Sequence, residues 1–185
     1  MLNDVFEDAR DRMGKVLEDL RSEYKRVRTG RASVSLVESI RADYYGTSTP
    51  LNQLATLTIP DPRTIVIQPW DQSAVGDVEK AILKSELGLT PMNDGKIVRI
   101  NVPPLTQERR RELVKVIKKM AEDHKVAVRN IRRDANEMIK DLKKEKEISE
   151  DDQFRGQEEI QKITDDFIQK LDEEYAGKEK EVLEI

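Results

Sequence analysis

The sequence contains no cysteine, a single histidine and few aromatic side chains. Without cysteine, disulfides, thiolate nucleophiles and cysteine-ligated zinc sites are excluded, and His124 alone cannot build a metal cluster from several histidines. No segment has the form of a glycine-rich phosphate loop, an HExxH motif or a GxSxG motif. We therefore predict no enzyme, no catalytic residue, no metal site and no cofactor.

Long hydrophobic runs are also missing. No stretch approaches the ~18 apolar residues that a membrane span requires, and the first residues lack the apolar centre of a signal peptide. Charged residues make up 38% of the 185 residues and aromatic residues 4%, a composition typical of amphipathic helices. Disorder is the alternative, but the apolar positions are periodic, which disfavours it. We expect a cytoplasmic protein that binds no membrane.

Charge is distributed unevenly along the chain. The net charge is −4, yet residues 106–147 contain fourteen Lys and Arg against nine Asp and Glu. Residues 148–185 contain five Lys and Arg against thirteen Asp and Glu. A basic segment within an acidic chain leaves a polyanionic partner possible, provided that it binds there.

Three segments have the apolar spacing of long helices. The first covers residues 2–28 and ends at Thr29 and Gly30. The second begins with Thr106 as its N-cap and is expected to reach about Glu147. The third begins at Ser149, where the acidic residues that follow favour the start of a helix. The apolar positions of the second repeat every ~3.6 residues, as in a straight helix; they are Leu113, Ile117, Met120, His124, Val128, Ile131, Ala135, Met138 and Leu142. Together, residues 1–29 and 106–185 predict a three-helix bundle.

The segment between the first and second of these helices has a different residue pattern. Short β-favouring runs, separated by turn signals, flank one helical stretch at Val75–Leu87 that carries Val78, Ile82 and Leu83 on one side. The runs are Val34–Tyr45, Leu54–Ile59, Thr64–Trp70 and Ile97–Val102. We predict an α+β fold in which residues 31–104 form a small β/α/β domain inserted into the bundle. The two short segments that connect this domain to the bundle are the predicted hinges. They are Thr29, Gly30 and Arg31, and Pro103, Pro104 and Leu105.

The second long helix carries a basic stripe. At ~100° per residue, nine basic side chains lie within about 50° of one direction, roughly 140° from the apolar stripe. They are Arg111, Lys115, Lys118, Lys125, Arg129, Arg132, Arg133, Lys140 and Lys143. Only Glu122 and Glu147 fall among them, whereas the other acids of the helix lie on a third side. Because like charges at this spacing repel, the stripe indicates a polyanion, and the scarcity of aromatics favours structured RNA read through its backbone.

Three other interpretations remain open. A charged helix face is most often simply solvated, although such faces normally mix signs. A helical adaptor could use the basic face to hold an acidic protein, and a hydrolase in the inserted domain would need clustered polar residues there. His124 falls on the apolar stripe, which is typical of a histidine at the boundary of a bundle.

Four motifs stand out along the chain: YKRVRTGRA at residues 24–32, YYGT at 44–47 followed by Pro50-Leu51, PPLT at 103–106 followed by Glu108-Arg109-Arg110, and VAVRNIRRDAN at 126–136. VAVRNIRRDAN is the most specific of them. Together they resemble the motifs of the ribosome recycling factor (ribosome-releasing factor) family. The resemblance covers the whole chain.

This resemblance implies a factor that acts after translation termination. The family fold is an L-shaped, tRNA-like pair of a three-helix bundle and a hinged β/α/β domain. The implied partners of the monomeric chain are large-subunit rRNA and elongation factor G, whose GTP hydrolysis drives subunit splitting. The residues implied or predicted to bind rRNA are Arg28, Arg31, Arg110, Arg111, Lys118, Lys125, Arg129, Arg132 and Arg133.

Overall fold

The computed structural model describes residues 1–184 and divides into two compact units. Unit 1 contains Met1–Val27 and Gln107–Glu184, and unit 2 contains Arg28–Thr106. Each unit has its own hydrophobic core. No helix of residues 1–184 combines the length and the apolar character that a membrane crossing needs.

Unit 1 is built from three long helices. They are α1 (Leu2–Arg26), α3 (Gln107–Lys144) and α4 (Glu150–Leu183). Each packs against the other two, because each has an apolar face that it cannot bury alone. The predicted start of α4 is confirmed: Ser149 Oγ accepts the backbone N–H of Asp152, and the Asp152 carboxylate accepts the Ser149 N–H, forming a capping box.

The buried face of α3 differs from its predicted apolar positions at five sites. Met138 is exposed and Met120 and Leu142 are half-buried, whereas Ala121 and Ile139 are buried. At ~100° per residue the two methionines lie about 60° from Ile117, but Ala121 and Ile139 lie only about 40° from it on the other side. The true centre of the buried face is therefore rotated toward the basic stripe.

Unit 2 combines two antiparallel sheets with one helix. Strands β1 (Arg41–Tyr44) and β2 (Thr47–Pro50) form a hairpin. Strands β3 (Ala55–Asp61), β4 (Thr64–Pro69), β5 (Pro91–Asn93) and β6 (Val98–Asn101) form a sheet in the order β3-β4-β6-β5. Helix α2 (Val75–Lys84) contacts β1, β4, β5 and β6. The predicted α+β class, with a long-helix bundle and a small sheet-containing unit, is confirmed.

Several local predictions in unit 2 were wrong. Only Arg41–Tyr44 of the predicted run Val34–Tyr45 is a strand, since Val34–Leu36 forms a single 3₁₀ turn. Strands β2 and β5 were not predicted. Leu83 is 60% exposed instead of sharing the buried side of Val78 and Ile82, because at ~100° per residue it lies about 140° from Val78 on α2.

Candidate nucleic-acid interface

Six side chains of the basic stripe form an exposed line along α3, which we name the outer basic line. Its members are Arg111, Lys115, Lys118, Arg129, Arg133 and Lys140. By helical geometry they point about 100–160° away from the centre of the buried face. Among residues 1–184, none of the six has an ion-pair partner within 4.0 Å. The line therefore presents uncompensated positive charge to solvent.

The other three members of the stripe interact with α4. Lys125 forms ion pairs with Asp172 and, at 3.1 Å, with Glu122, and its side chain is only 13% exposed. The hydrogen bond to Asp172 raises the Lys125 pKa above its ordinary value. Arg132 Nη1 donates to Gln161 Oε1 at 3.1 Å, and Lys143 Nζ lies 3.7 Å from Glu150.

Helix rotation explains why these three differ from the outer basic line. Lys125, Arg132 and Lys143 lie about 60–80° from the centre of the buried face, closer to the core than the other six. At that angle a long side chain reaches the neighbouring helix. The spacing of α3 alone could not reveal this, because the partners lie on α4 and the buried face was centred incorrectly.

Arg110 also lies away from the outer basic line. It is about 20° from the centre of the buried face by the same rule, and it is half-buried at the start of α3. Its Nη1 donates to the Leu183 carbonyl at 3.4 Å, and its buried Nε has no hydrogen-bond acceptor among residues 1–184. This geometry favours a role in packing α3 against the end of α4.

Arg28 and Arg31 belong to unit 2. Both are exposed, and Arg28 Nη1 donates to the Leu87 carbonyl at 3.1 Å. Between them, Thr29 is buried and Gly30 has a positive φ of 78°. A Cβ at Gly30 would lie 3.1 Å from Leu105 Cγ and 3.3 Å from the Leu105 nitrogen. The two predicted hinge segments therefore touch through Gly30 and Leu105, while Pro103 and Pro104 are exposed.

The acidic side of α3 faces cations of α1. Arg12 Nη2 donates to Asp134 Oδ2 at 2.8 Å, and this hydrogen bond raises the pKa of Arg12. Helix α1 also pairs with α4 through Arg10 and Glu159 and through Arg21 and Glu174. The bundle thus matches opposite charges along its helix contacts and leaves the outer basic line facing solvent.

A family model described as ribosome recycling factor matches residues 20–183. The chain belongs to the ribosome recycling factor family. This confirms the resemblance seen in the sequence, and because members are non-enzymatic translation factors it also confirms that the chain is not an enzyme.

Individual relatives match over their full length. A ribosome-recycling factor of Syntrophobacter fumaroxidans is 75% identical over 185 residues, which is 100% of both chains. One from Solidesulfovibrio magneticus is 60% identical over 98% of each chain.

Solved structures of the family share this fold. A solution structure of the ribosome recycling factor is similar with a TM-score of 0.78 and 45% identity, covering 100% of this chain and 98% of the other. A second structure models the T. thermophilus ribosome recycling factor and the E. coli elongation factor G bound to the E. coli post-termination complex. The matching chain there has a TM-score of 0.66 and 49% identity over 99% of both chains.

Proposed function

We propose that this chain recycles ribosomes after termination in the cytoplasm. It binds the post-termination ribosome through large-subunit rRNA and, with elongation factor G and the GTP that this partner hydrolyses, promotes separation of the subunits. Family membership supports the activity, and the T. thermophilus factor was placed with elongation factor G on a post-termination complex. The observation that carries the binding site is the outer basic line.

The outer basic line suits a phosphate backbone. Arg111 and Lys140 are 29 positions apart, which corresponds to roughly 44 Å of helix at ~1.5 Å per residue. Repelling cations at i,i+4, such as Arg129 and Arg133, are unfavourable unless a polyanion neutralises them. Arginine adds a planar fork that contacts a phosphate with two hydrogen bonds.

The predicted rRNA-binding residues of α3 divide into three groups under this proposal. Arg111, Lys118, Arg129 and Arg133 contact phosphates directly, joined by Lys115 and Lys140. Arg132 contributes after exchanging its bond to Gln161 for a phosphate. Lys125 and Arg110 act mainly within the bundle, since their charged groups already contact α4.

The test is the salt dependence of binding to purified large subunits. Arg133→Ala should weaken binding and lower the slope of log Kobs against log salt by roughly 0.7–0.9, the value of one lost phosphate contact. Arg109→Ala is the matched control, because Arg109 is an exposed cation of α3 about 145° away from the centre of the outer basic line. An equal loss of affinity in both variants would refute a localised interface. Binding that persists after ribonuclease treatment would instead indicate an acidic protein partner.

We also propose that unit 2 moves as an arm when elongation factor G acts on it. The chain passes between the units next to residues 29–31 and 103–105, the two hinge segments. Within unit 2, the close contact of Gly30 with Leu105 supports a defined pivot. A substitution at Gly30 that restricts its backbone should leave ribosome binding normal. It should slow the splitting of ribosomes by elongation factor G and GTP, as measured by light scattering. Normal splitting in that variant would contradict the lever.

A further inference from the structure

His124 of α3 faces two carboxylates of α1. Asp19 and Glu23 are separated by four residues and therefore lie on one side of their helix. The ligand atoms of Asp19, Glu23 and His124 all lie within 4.8 Å of one another. The imidazole is nearly buried, while the Asp19 side chain is 68% exposed, so the group opens to solvent on one side.

The hydrogen bonds of the ring define what can occupy this space. His124 Nδ1 lies 2.7 Å from the Met120 carbonyl, which can only accept, so Nδ1 carries a hydrogen. Nε2 lies 3.1 Å from Asp19 Oδ2, which is also an acceptor. With its hydrogen on Nδ1, the ring directs the Nε2 lone pair toward this carboxylate, so a metal ion placed between the two atoms would bind both.

We propose that Asp19, Glu23 and His124 form a binding site for a divalent transition-metal ion such as Zn²⁺. Imidazole and carboxylate ligands together suit zinc, cobalt and nickel better than magnesium or calcium, which prefer oxygen ligands alone. A backbone carbonyl that accepts from the second ring nitrogen is the usual support for a histidine ligand.

The spacing fits such an ion after a small adjustment. Zinc bonds of ~2.0–2.1 Å in a tetrahedron place neighbouring ligand atoms about 3.4 Å apart. The Asp19–His124 distance of 3.1 Å is close to this value. Glu23 lies further away, and its side chain can rotate inward. The fourth position faces solvent and would hold water.

A bound ion would join α1 to α3 within unit 1. Because the ion binds the folded bundle, the melting temperature of the bundle should rise with the concentration of free metal.

The test is a Zn²⁺ titration of the untagged chain by calorimetry. We expect one ion per chain, at least about tenfold weaker binding in Asp19→Asn and in Glu23→Gln, and no binding in His124→Gln. Glu7→Gln is the matched control: it removes the same charge from an exposed position of α1 away from the group, and it should bind Zn²⁺ normally.

A spectroscopic measurement avoids dependence on the variants. Since His124 is the only histidine, its ring nitrogens give one set of signals in a long-range ¹H–¹⁵N spectrum, and Zn²⁺ should shift Nε2 far more than Nδ1. EDTA should reverse the shift. Unperturbed ring signals at about 100 µM Zn²⁺, or equal Zn²⁺ affinity in Asp19→Asn and the unaltered chain, would overturn the proposal.

Discussion

At the residue scale, Gly30 is a position where one methyl group would act in two ways. Its φ of 78° is in the left-handed region, and an added Cβ would lie 3.1 Å from Leu105 Cγ. We expect Gly30→Ala to lower the free energy of unfolding of unit 2 by more than the about 1–2 kcal/mol that a left-handed non-glycine residue costs. Urea unfolding followed by the fluorescence of Trp70, the only tryptophan, measures this loss.

Two other glycines serve as controls for Gly30. Gly88 also has a positive φ, of 65°, but nothing lies within 4 Å of its would-be Cβ, so Gly88→Ala isolates the backbone effect. Gly14 lies inside α1 with open space around it, and Gly14→Ala should stabilise unit 1 by up to about 1 kcal/mol. Equal losses in Gly30→Ala and Gly88→Ala would show that Leu105 yields to the methyl group without cost.

Tyr24 makes the stability of unit 1 depend on alkaline pH. Its hydroxyl donates to the Ile117 carbonyl at 2.7 Å, and burial raises its pKa well above 10. Burial, aided by a hydrogen bond to Glu179, also raises the pKa of Tyr175 to about 12. The unfolded chain therefore loses these protons first, and the stabilisation is complete below about pH 10 but declines as the pH rises further.

Substitution of these tyrosines tests the pH dependence. The free energy of unfolding, measured in urea at several pH values from about 8 to 11, should fall less steeply in Tyr24→Phe and Tyr175→Phe than in the unaltered chain. Tyr24→Phe should also cost about 1 kcal/mol at neutral pH through the lost hydrogen bond. An unchanged decline in the double variant would assign the alkaline effect to other groups.

At the scale of elements, periodicity predicted the long helices but not the short strands. The apolar positions of α3 repeat over about eight turns, so the helix and the direction of its basic stripe follow from one number, ~100° per residue. By contrast, β2 is polar and β5 is a three-residue edge strand that begins with Pro91. Such strands exist because a neighbour offers hydrogen bonds, and their own sequences carry little signal.

The candidate interface could likewise be predicted only in part from the sequence. Arg129 and Arg133 lie where the helical spacing put them. Lys125 is not available to bind RNA, since its ammonium group pairs with Asp172 on α4. That pairing depends on how α3 and α4 are rotated against each other. A shift of about 20–40° in the direction of the buried face around the α3 axis determines which cations reach α4.

The end of α3 contains a residue with a strained backbone, Lys146, that a substitution could relieve. Lys146 has φ 60°, while the Lys146 N–H bonds to the Lys143 carbonyl and the Glu147 N–H to the Leu142 carbonyl. This is a Schellman end, in which glycine normally occupies the left-handed position. The helix consequently stops at Lys144, before the predicted Glu147.

Lys146→Gly should therefore stabilise unit 1 by up to about 1 kcal/mol, because glycine adopts this conformation without a steric penalty. Urea unfolding followed by circular dichroism at 222 nm measures the gain. Lys144→Gly, the same exchange at the last helical residue, is the matched control and should destabilise the bundle by a similar amount. A loss of stability in both variants would mean that the Lys146 side chain matters more than its φ.

At the scale of the whole molecule, the arrangement of charge reconciles an acidic protein with an RNA partner. The net charge of −4 opposes indiscriminate binding to polyanions. Pairs such as Arg12–Asp134 and Lys125–Asp172 neutralise charges along the helix contacts. Attraction is thereby concentrated on the outer basic line, which favours one orientation of the bundle on RNA over many.

The proposed arm requires unit 2 to keep its fold while it moves, and the two separate cores predict that it does. Ile139 is fully buried in unit 1 and Ile67 in unit 2. Each change to alanine should cost about 3 kcal/mol within its own unit. Ile139→Ala should lower the urea midpoint seen by circular dichroism at 222 nm, to which the long helices contribute most, and spare that of Trp70 fluorescence. Ile67→Ala should do the opposite, because Trp70 Nε1 donates to Thr56 Oγ1 within unit 2. If both probes shift together in either variant, the units unfold as one and an arm that moves as an independent body is untenable.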